Sequence, residues 1–258
     1  MKIDVLWTPA ELEQVQIQDR TAVVVDVLRS GTTVATAIHN GARAVVPAAS
    51  TEEAIRIAQS IGRRDVLLCG ERGGEPIEGF DLGNSPAEFT PDVVREQTLV
   101  MSTTNGTHTL VALSAAGSVY VGALVNLKAL ADRLVELEGD PVVVCAGRRG
   151  RVSVEDALCA GLLVDATVKQ ARRRKLPKPA LGDGAVAARA LARELTPDVR
   201  FLRRTKAGRS LREIGQSADI RYCARVDSIP VVPVLRDRQI VRHGTVGVGA
   251  NGGKKREG

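Results

Sequence analysis

Short runs of small and β-branched apolar residues, each closed by a polar or glycine-containing turn, recur along this chain. The clearest is Ala22 to Val25, followed by Asp26, a turn through Arg29-Ser30-Gly31 and an apolar-periodic stretch from about Thr32. An unbroken apolar strand belongs inside a sheet covered on both faces, and a turn straight into a helix marks a parallel strand. The same order returns with strands over Ile3 to Leu6, Ala44 to Pro47, Val66 to Cys69, Thr98 to Met101, Ser118 to Val121 and Pro141 to Cys145. Between them lie helix starts: Thr8-Pro9-Ala10-Glu11, the capping box Ser50 to Glu53, a helix through His108 and Leu113, another capped by Asn126, and a long helix from Ser153 to about Lys175. Farther on, Leu181 to Leu195 is an Ala-rich helix and Leu202 to Ile214 a basic loop and helix. Asp219 to Arg225 reads as a late strand or a helix–strand joint, and Pro230 to Leu235 as a last strand. The alternation predicts an α/β fold, a mainly parallel sheet or sheets flanked by helices. Residues 1–246 are expected to form one unit, with 175–184 as the hinge if it has two lobes, and 247–258 a flexible tail.

Composition narrows the function classes. A chain of 258 residues that is 44% hydrophobic can bury a large core, which excludes wholesale disorder. No apolar run approaches the roughly 18 residues of a membrane span, and the start lacks a signal-peptide pattern, so a cytoplasmic location without membrane contact is expected. Cys69, Cys145, Cys159 and Cys223 are scattered, and so are His39, His108 and His243, which argues against disulfides and soft-metal clusters and leaves a hard cation on carboxylates. The net charge of +6 is uneven: residues 1–140 carry 11 Lys/Arg against 19 Asp/Glu, and 141–258 carry 25 against 11. With only 2% aromatics there is little to stack on bases, so nucleic acid is an unlikely partner and a small anion fits better.

Chemistry gathers where strands end. Ligands of open α/β sheets bind outside the strands' carboxyl ends, and helix N-termini favour anions. Asp26 can hold a metal or cap the helix; Arg29 can fork onto an anion; Thr32 and Thr33 add hydroxyls. The loop Gly70 to Phe89 holds five glycines and five carboxylates in twenty residues, a composition suited to an active-site wall or lid. Within it Ser85 also suits a plain helix cap ahead of Pro86. Thr103-Thr104-Asn105-Gly106 begins a second helix after a strand, as a cap or an anion cradle. Glu155 and Asp156 open the long helix, as capping partners or as metal ligand and proton carrier. Cys145 and Arg151 have the C-x5-R spacing of cysteine-dependent phosphatases, with Val144 where that class usually has histidine.

Taken in order, VVVDVLRSGTT, CGERGGEPIEGFDLGNSPAEF, STTNGT, VVVCAGRRGRVSVEDALCAG and ADIRYCARVDSIPVVPV closely resemble the 2-phosphosulfolactate phosphatase family over nearly the whole chain. The resemblance implies a family-specific phosphatase fold and a magnesium-dependent hydrolase that removes phosphate from 2-phospho-3-sulfolactate or related phosphorylated 2-hydroxy acids. In some organisms that step leads to coenzyme M. Carried onto this chain, the motif residues are Asp26, Arg29, Thr32, Thr33, Glu71, Arg72, Asn84, Ser85, Thr103, Thr104, Asn105, Gly106, Gly147, Glu155 and Asp156. Of these, Asp26, Glu71 and Asp156 are the expected Mg2+ ligands, Arg29 and Arg72 the holders of the anionic groups, and the Thr-Asn-Gly turn the orienting element.

The chain departs from the family at Ser30-Gly31, where Ala-Thr is commoner, and at His108, where arginine is common; an imidazole does not replace a guanidinium fork. Leu28 stands where a haloacid-dehalogenase pattern would need a second aspartate, which favours direct attack by water. Two other readings are a cysteine-dependent phosphatase using Cys145 and Arg151, and a non-catalytic protein that binds anions or nucleic acid. A homo-oligomer is compatible with all three.

Overall fold

The apolar runs are strands, as their patterning predicts, in a computed structural model that describes residues 1–62 and 66–244. In chain order they are β1 (Lys2–Leu6), β2 (Thr21–Val25), β3 (Ala44–Pro47), β4 (Val66–Arg72), β5 (Glu75–Pro76), β6 (Thr98–Ser102), β7 (Ser118–Gly122), β8 (Val142–Cys145), β9 (Ala180–Leu181), β10 (Pro233–Arg236) and β11 (Gln239–Arg242). The helices are α1 (Ser30–His39), α2 (Thr51–Ile61), α3 (Pro91–Val94), α4 (Gly106–Ala112), α5 (Leu127–Leu134), α6 (Val154–Arg173), α7 (Asp183–Glu194), α8 (Val199–Arg204), α9 (Lys206–Glu213) and α10 (Ser217–Cys223).

The strands join in the order β5-β4-β6-β3-β11-β10-β7-β2-β8-β1-β9. Two sections are parallel, β4-β6-β3 and β7-β2-β8-β1-β9. The antiparallel pair β10/β11 links them, and its contact with β3 is a single register pair, Ile240 with Val45. The protein is therefore an α/β fold with a mostly parallel mixed sheet flanked by helices. Residues 180–181, within the stretch expected as a hinge, pair with β1. The tail expected over 247–258 lies outside the described residues.

Period-two alternation decides which side chain enters which core. Along β2, Val23 and Val25 join the core under α5, α6 and α7, while Ala22 and Val24 join the core under α1 and α4. Val143 and Cys145 of β8 face the first core, Val142 and Val144 the second. The second core also takes Val45, Leu99 and Met101 from the other parallel section, so both sections share α1 as a cover.

Local chemistry places the helix ends. Ser50 Oγ accepts from Glu53 N at 3.1 Å, the cap read from sequence, while the Glu53 carboxylate closes back one residue before the cap, on Ala49 N at 2.7 Å, rather than on Ser50 N. Asn126 departs from expectation: its side chain makes no cap bond and instead ties Ala123 N, Val121 O and Val231 O together. Asp219 to Arg225 falls largely in a helix, α10, rather than a strand; Ile220 and Cys223, three positions apart as on one helix face, both enter the core.

Candidate active site

One pocket forms where β2, β4, β6 and β8 end, closed on one side by α9. Asp26 follows β2 and is 7% exposed. Its Oδ1 accepts from Ser30 N at 3.2 Å, so the carboxylate covers the start of α1 as an acid at a helix N-terminus should. Its Oδ2 is turned toward Gly106, the first residue of α4, where a Cβ would lie 2.7 Å away. Glycine is what allows the two helix starts to meet at this carboxylate.

Glu71, at the end of β4, accepts from Thr104 N at 2.7 Å, from Thr104 Oγ at 3.1 Å and from Gly74 N at 2.6 Å. It thus fixes the Thr-Asn-Gly turn against the glycine loop. Asn84 is 4% exposed, lines the pocket, and its Oδ1 is buried without a hydrogen-bond partner. An orphaned buried acceptor costs about 1–3 kcal/mol, and a bound donor or cation removes that cost.

Arg29 also lines the pocket, but its guanidinium is engaged. Nη1 donates to Asp219 Oδ2 at 2.7 Å and Nη2 to Gly74 O at 2.7 Å. Ser85 Oγ donates to the other Asp219 oxygen at 2.6 Å, so Ser85 anchors α10 rather than capping a helix. The peptide bond between Leu28 and Arg29 is cis.

Other motif residues lie outside the pocket lining. Arg72 is exposed and donates to Ser102 and to Glu71 O, along the sheet edge. Thr32 donates to Val27 O, and Thr33 to Arg29 O and Asn84 O, which holds α1 to the turn before it and to the loop. Asp156 accepts from Val27 N at 2.9 Å and Gly147 N at 3.2 Å, locking the turn after β2 to the turn after β8. Glu155 accepts from Ser153 Oγ at 2.8 Å. Thr103 and Thr107 exchange hydrogen bonds at the start of α4, and Thr103 lines the pocket. His108 is exposed on α4, outside the lining.

Four carboxylates, Asp26, Glu71, Glu155 and Asp156, are thus nearly buried together. Burial, then Glu71, push the Asp26 carboxyl up to about 7, against the opposing bond from Ser30 N. Burial, then Asp26 and Glu155, hold Asp156 well above the usual carboxylate range. Crowded carboxylates of this kind gather at functional sites.

The donors suit a hard cation only in part. Among the described residues no three His, Cys, Asp or Glu side chains converge in metal-ligand geometry. The pocket nevertheless offers oxygen donors, the Asp26 carboxylate and the orphaned Asn84 Oδ1. That fits magnesium, which takes one or two carboxylates and completes its shell with water and phosphate oxygens.

Several lining residues are missing from the expected site: Arg148 and Arg149, inside the third strand-end motif but given no role there, and Ser210, Leu211 and Ile214, outside all the motifs. Asn105 Oδ1 accepts from Arg149 N at 3.0 Å, so the second strand–helix unit holds the arginine turn that follows β8. The R-R-G-R run just past a strand end is a signal for that turn; α9 offers no local signal beyond its amphipathic pattern.

Cys145 is fully buried in the core under α6, where burial and then Asp156 push its thiol well above the ordinary value. Arg151 is exposed, and neither residue lines the pocket. A thiol kept neutral in a core is no nucleophile, so the C-x5-R spacing is coincidental.

Comparison with known proteins converges on one family. The model for 2-phosphosulpholactate phosphatase matches residues 6–238. A Carboxydothermus hydrogenoformans protein named "Probable 2-phosphosulfolactate phosphatase" is 39% identical over 233 residues, 90% of this chain and 92% of that protein. A Clostridium acetobutylicum protein of the same name is 34% identical over 241 residues, 93% of this chain and all of that one. One from Caldanaerobacter subterraneus, again of that name, is 35% identical over 224 residues, 86% of this chain and 90% of its own length.

Proposed function

We infer the activity from a premise: the chain belongs to the 2-phosphosulfolactate phosphatase family. We propose a phosphoric monoester hydrolase that takes 2-phospho-3-sulfolactate, or a related phosphorylated 2-hydroxy acid, to the hydroxy acid and phosphate with Mg2+. The observation that carries this reading is the composition of one pocket, in which buried oxygen donors at Asp26, Glu71 and Asn84 share a cavity with Arg29, Arg148 and Arg149. A multiply charged phosphate ester needs both kinds of group.

Asp26 through Oδ2 and Asn84 through Oδ1 would hold the cation, with Glu71 fixing the loop and the turn beside them. When bound, magnesium would neutralise phosphate oxygens and polarise the ester. Arg29, clamped by Asp219, contributes a cation that does not have to reorganise as charge shifts in the transition state. Water attacks phosphorus, the ester P–O bond breaks, and the alkoxide oxygen leaves as a hydroxyl with the proton the water supplies. Little covalent work falls to the protein in such a displacement; positioning and charge supply the acceleration.

Phosphate release by the wild-type protein from 2-phosphosulfolactate, 2-phospholactate and 2-phosphoglycolate, in magnesium and in EDTA, tests this. The expected result is release that EDTA abolishes and excess magnesium restores. No release from any of the three overturns the phosphatase reading; release that persists in EDTA overturns the metal requirement alone.

A further inference from the structure

Arg148 to Arg151 is a tight hairpin turn. Arg148 N donates to Arg151 O at 2.8 Å and Arg151 N to Arg148 O at 3.0 Å, with positive φ at both central residues, 50° at Arg149 and 72° at Gly150. That is the geometry of a type I′ turn, and glycine supplies its second left-handed position. The turn is anchored at its tip by Asn105 Oδ1 on Arg149 N, and at its base by the bond from Arg148 Nη2 to Ser210 Oγ at 3.1 Å. Among the described residues neither Arg148 nor Arg149 is paired with a carboxylate, although acids are abundant in this chain. Two guanidinium groups without a carboxylate partner, on the half-buried Arg148 and the exposed Arg149, line a pocket whose buried side includes the acids Asp26 and Glu71, and they have a clear use.

Resting on the phosphatase reading, we infer that this turn and Ser210 form the subsite for the substrate's second strong acid, the group on C3, and so select among phosphorylated 2-hydroxy acids. The chemistry favours a sulfonate. Ser210 Oγ accepts from Arg148, which leaves its O–H free to donate. Arg148, Arg149 and Ser210 then present donors from three separate positions, matching the three oxygens of a tetrahedral sulfonate rather than the two of a planar carboxylate. Leu211 and Ile214 line the same wall and offer an apolar surface to the methylene that carries the acid. Phosphate chemistry at the inner end is left to Asp26, Asn84 and Arg29. Asn105 is a positioning residue here, because its side-chain oxygen is spent on holding the arginine turn.

Kinetics of Arg148→Gln, Arg149→Gln and Asn105→Ala with 2-phosphosulfolactate and with 2-phospholactate, which has a methyl in place of the sulfomethyl group, test the inference. Loss of one charge-assisted contact is expected to raise KM for the sulfonated substrate roughly 10–100-fold. Its kcat should fall by less than about threefold, and the kcat/KM ratio between the two substrates should drop at least about tenfold. Asn105→Ala should show the same split of KM against kcat, which a general loss of stability would not produce. Equal losses on both substrates, or a fall in kcat alone, would overturn the subsite. Calorimetric titration with 3-sulfolactate and with lactate separates this from failure of the phosphatase reading: 3-sulfolactate should bind the wild type at least tenfold more tightly than Arg149→Gln. Equal binding of 3-sulfolactate to both overturns the inference whether or not any ester is hydrolysed.

Discussion

Replacing Asp219 with alanine should damage the protein far more than its place on a short late helix suggests. The Arg29 and Asp219 side chains are 2% and 4% exposed and lie 2.7 Å apart. In Asp219→Ala, Arg29 keeps Gly74 O as an acceptor but becomes an uncompensated buried charge, and Ser85 Oγ loses its acceptor. Breaking such a pair costs about 3–5 kcal/mol. In a chain of this size each kcal/mol shifts the midpoint by about 2–4 °C, so Tm should fall by roughly 6–20 °C. The exposed pair Lys128–Asp132, at 2.6 Å with side chains 64% and 27% exposed, is the internal control. Lys128→Ala, which leaves the bond from Gln170 to Asp132 in place, should cost no more than about 1 kcal/mol. Thermal and urea unfolding followed by circular dichroism read both variants. The double variant Arg29→Met/Asp219→Leu should regain much of the loss, since removing both charges removes the desolvation penalty. A Tm for Asp219→Ala within experimental error of that for Lys128→Ala would refute the reasoning, because it would mean that water reaches the Arg29 guanidinium.

Two further substitutions probe the pocket from different sides. Gly106→Ala places a methyl 2.7 Å from Asp26 Oδ2 and Ser30 Oγ, so kcat/KM should fall at least about tenfold, with a stability cost of about 1–3 kcal/mol and unchanged circular dichroism. Full activity in that variant would exclude the junction of α1 and α4 from the chemistry. Cys145→Ala should retain activity within about threefold, and iodoacetamide at pH 8 should not inactivate the wild type, because the thiol is buried and held protonated. Inactivation that tracks alkylation of Cys145 would restore the cysteine reading.

Much of the fold is legible along the chain because buried strands carry their own signal. Val23 to Val25, Val142 to Val144 and Leu99 to Met101 are apolar on both faces because both faces are covered, which is why they read as unbroken runs. The β10/β11 hairpin that joins the two parallel sections has no such mark. Its turn is Asp237-Arg238, with φ of 48° and 63°, where hairpin turns usually advertise themselves with Asn-Gly or Gly. Only the first of its two strands is expected from sequence.

The site divides in the same way. Asp26, Glu71, Asn84, Thr103, Thr104 and Asn105 come together in the pocket because each follows or lies close to a strand end. The Arg29–Asp219 pair, 190 positions apart, has no local pattern to announce it, and it converts an expected anion holder into a fixed internal cation. Arg72, Thr32, Thr33, Ser85, Gly147, Glu155 and Asp156 brace the elements around the pocket. Motif spacing does not separate residues that touch a ligand from those that hold such residues in place.

On the proposed function, a phosphate ester is hydrolysed in the pocket around Asp26. The most direct measurement is phosphate release from 2-phosphosulfolactate in magnesium by wild type and Asp26→Ala, each first shown by circular dichroism and thermal unfolding to be folded. Turnover by the wild type and a loss of at least about 100-fold in the folded variant are expected. Turnover by Asp26→Ala within a few-fold of wild type would contradict that placement and move the chemistry away from this pocket.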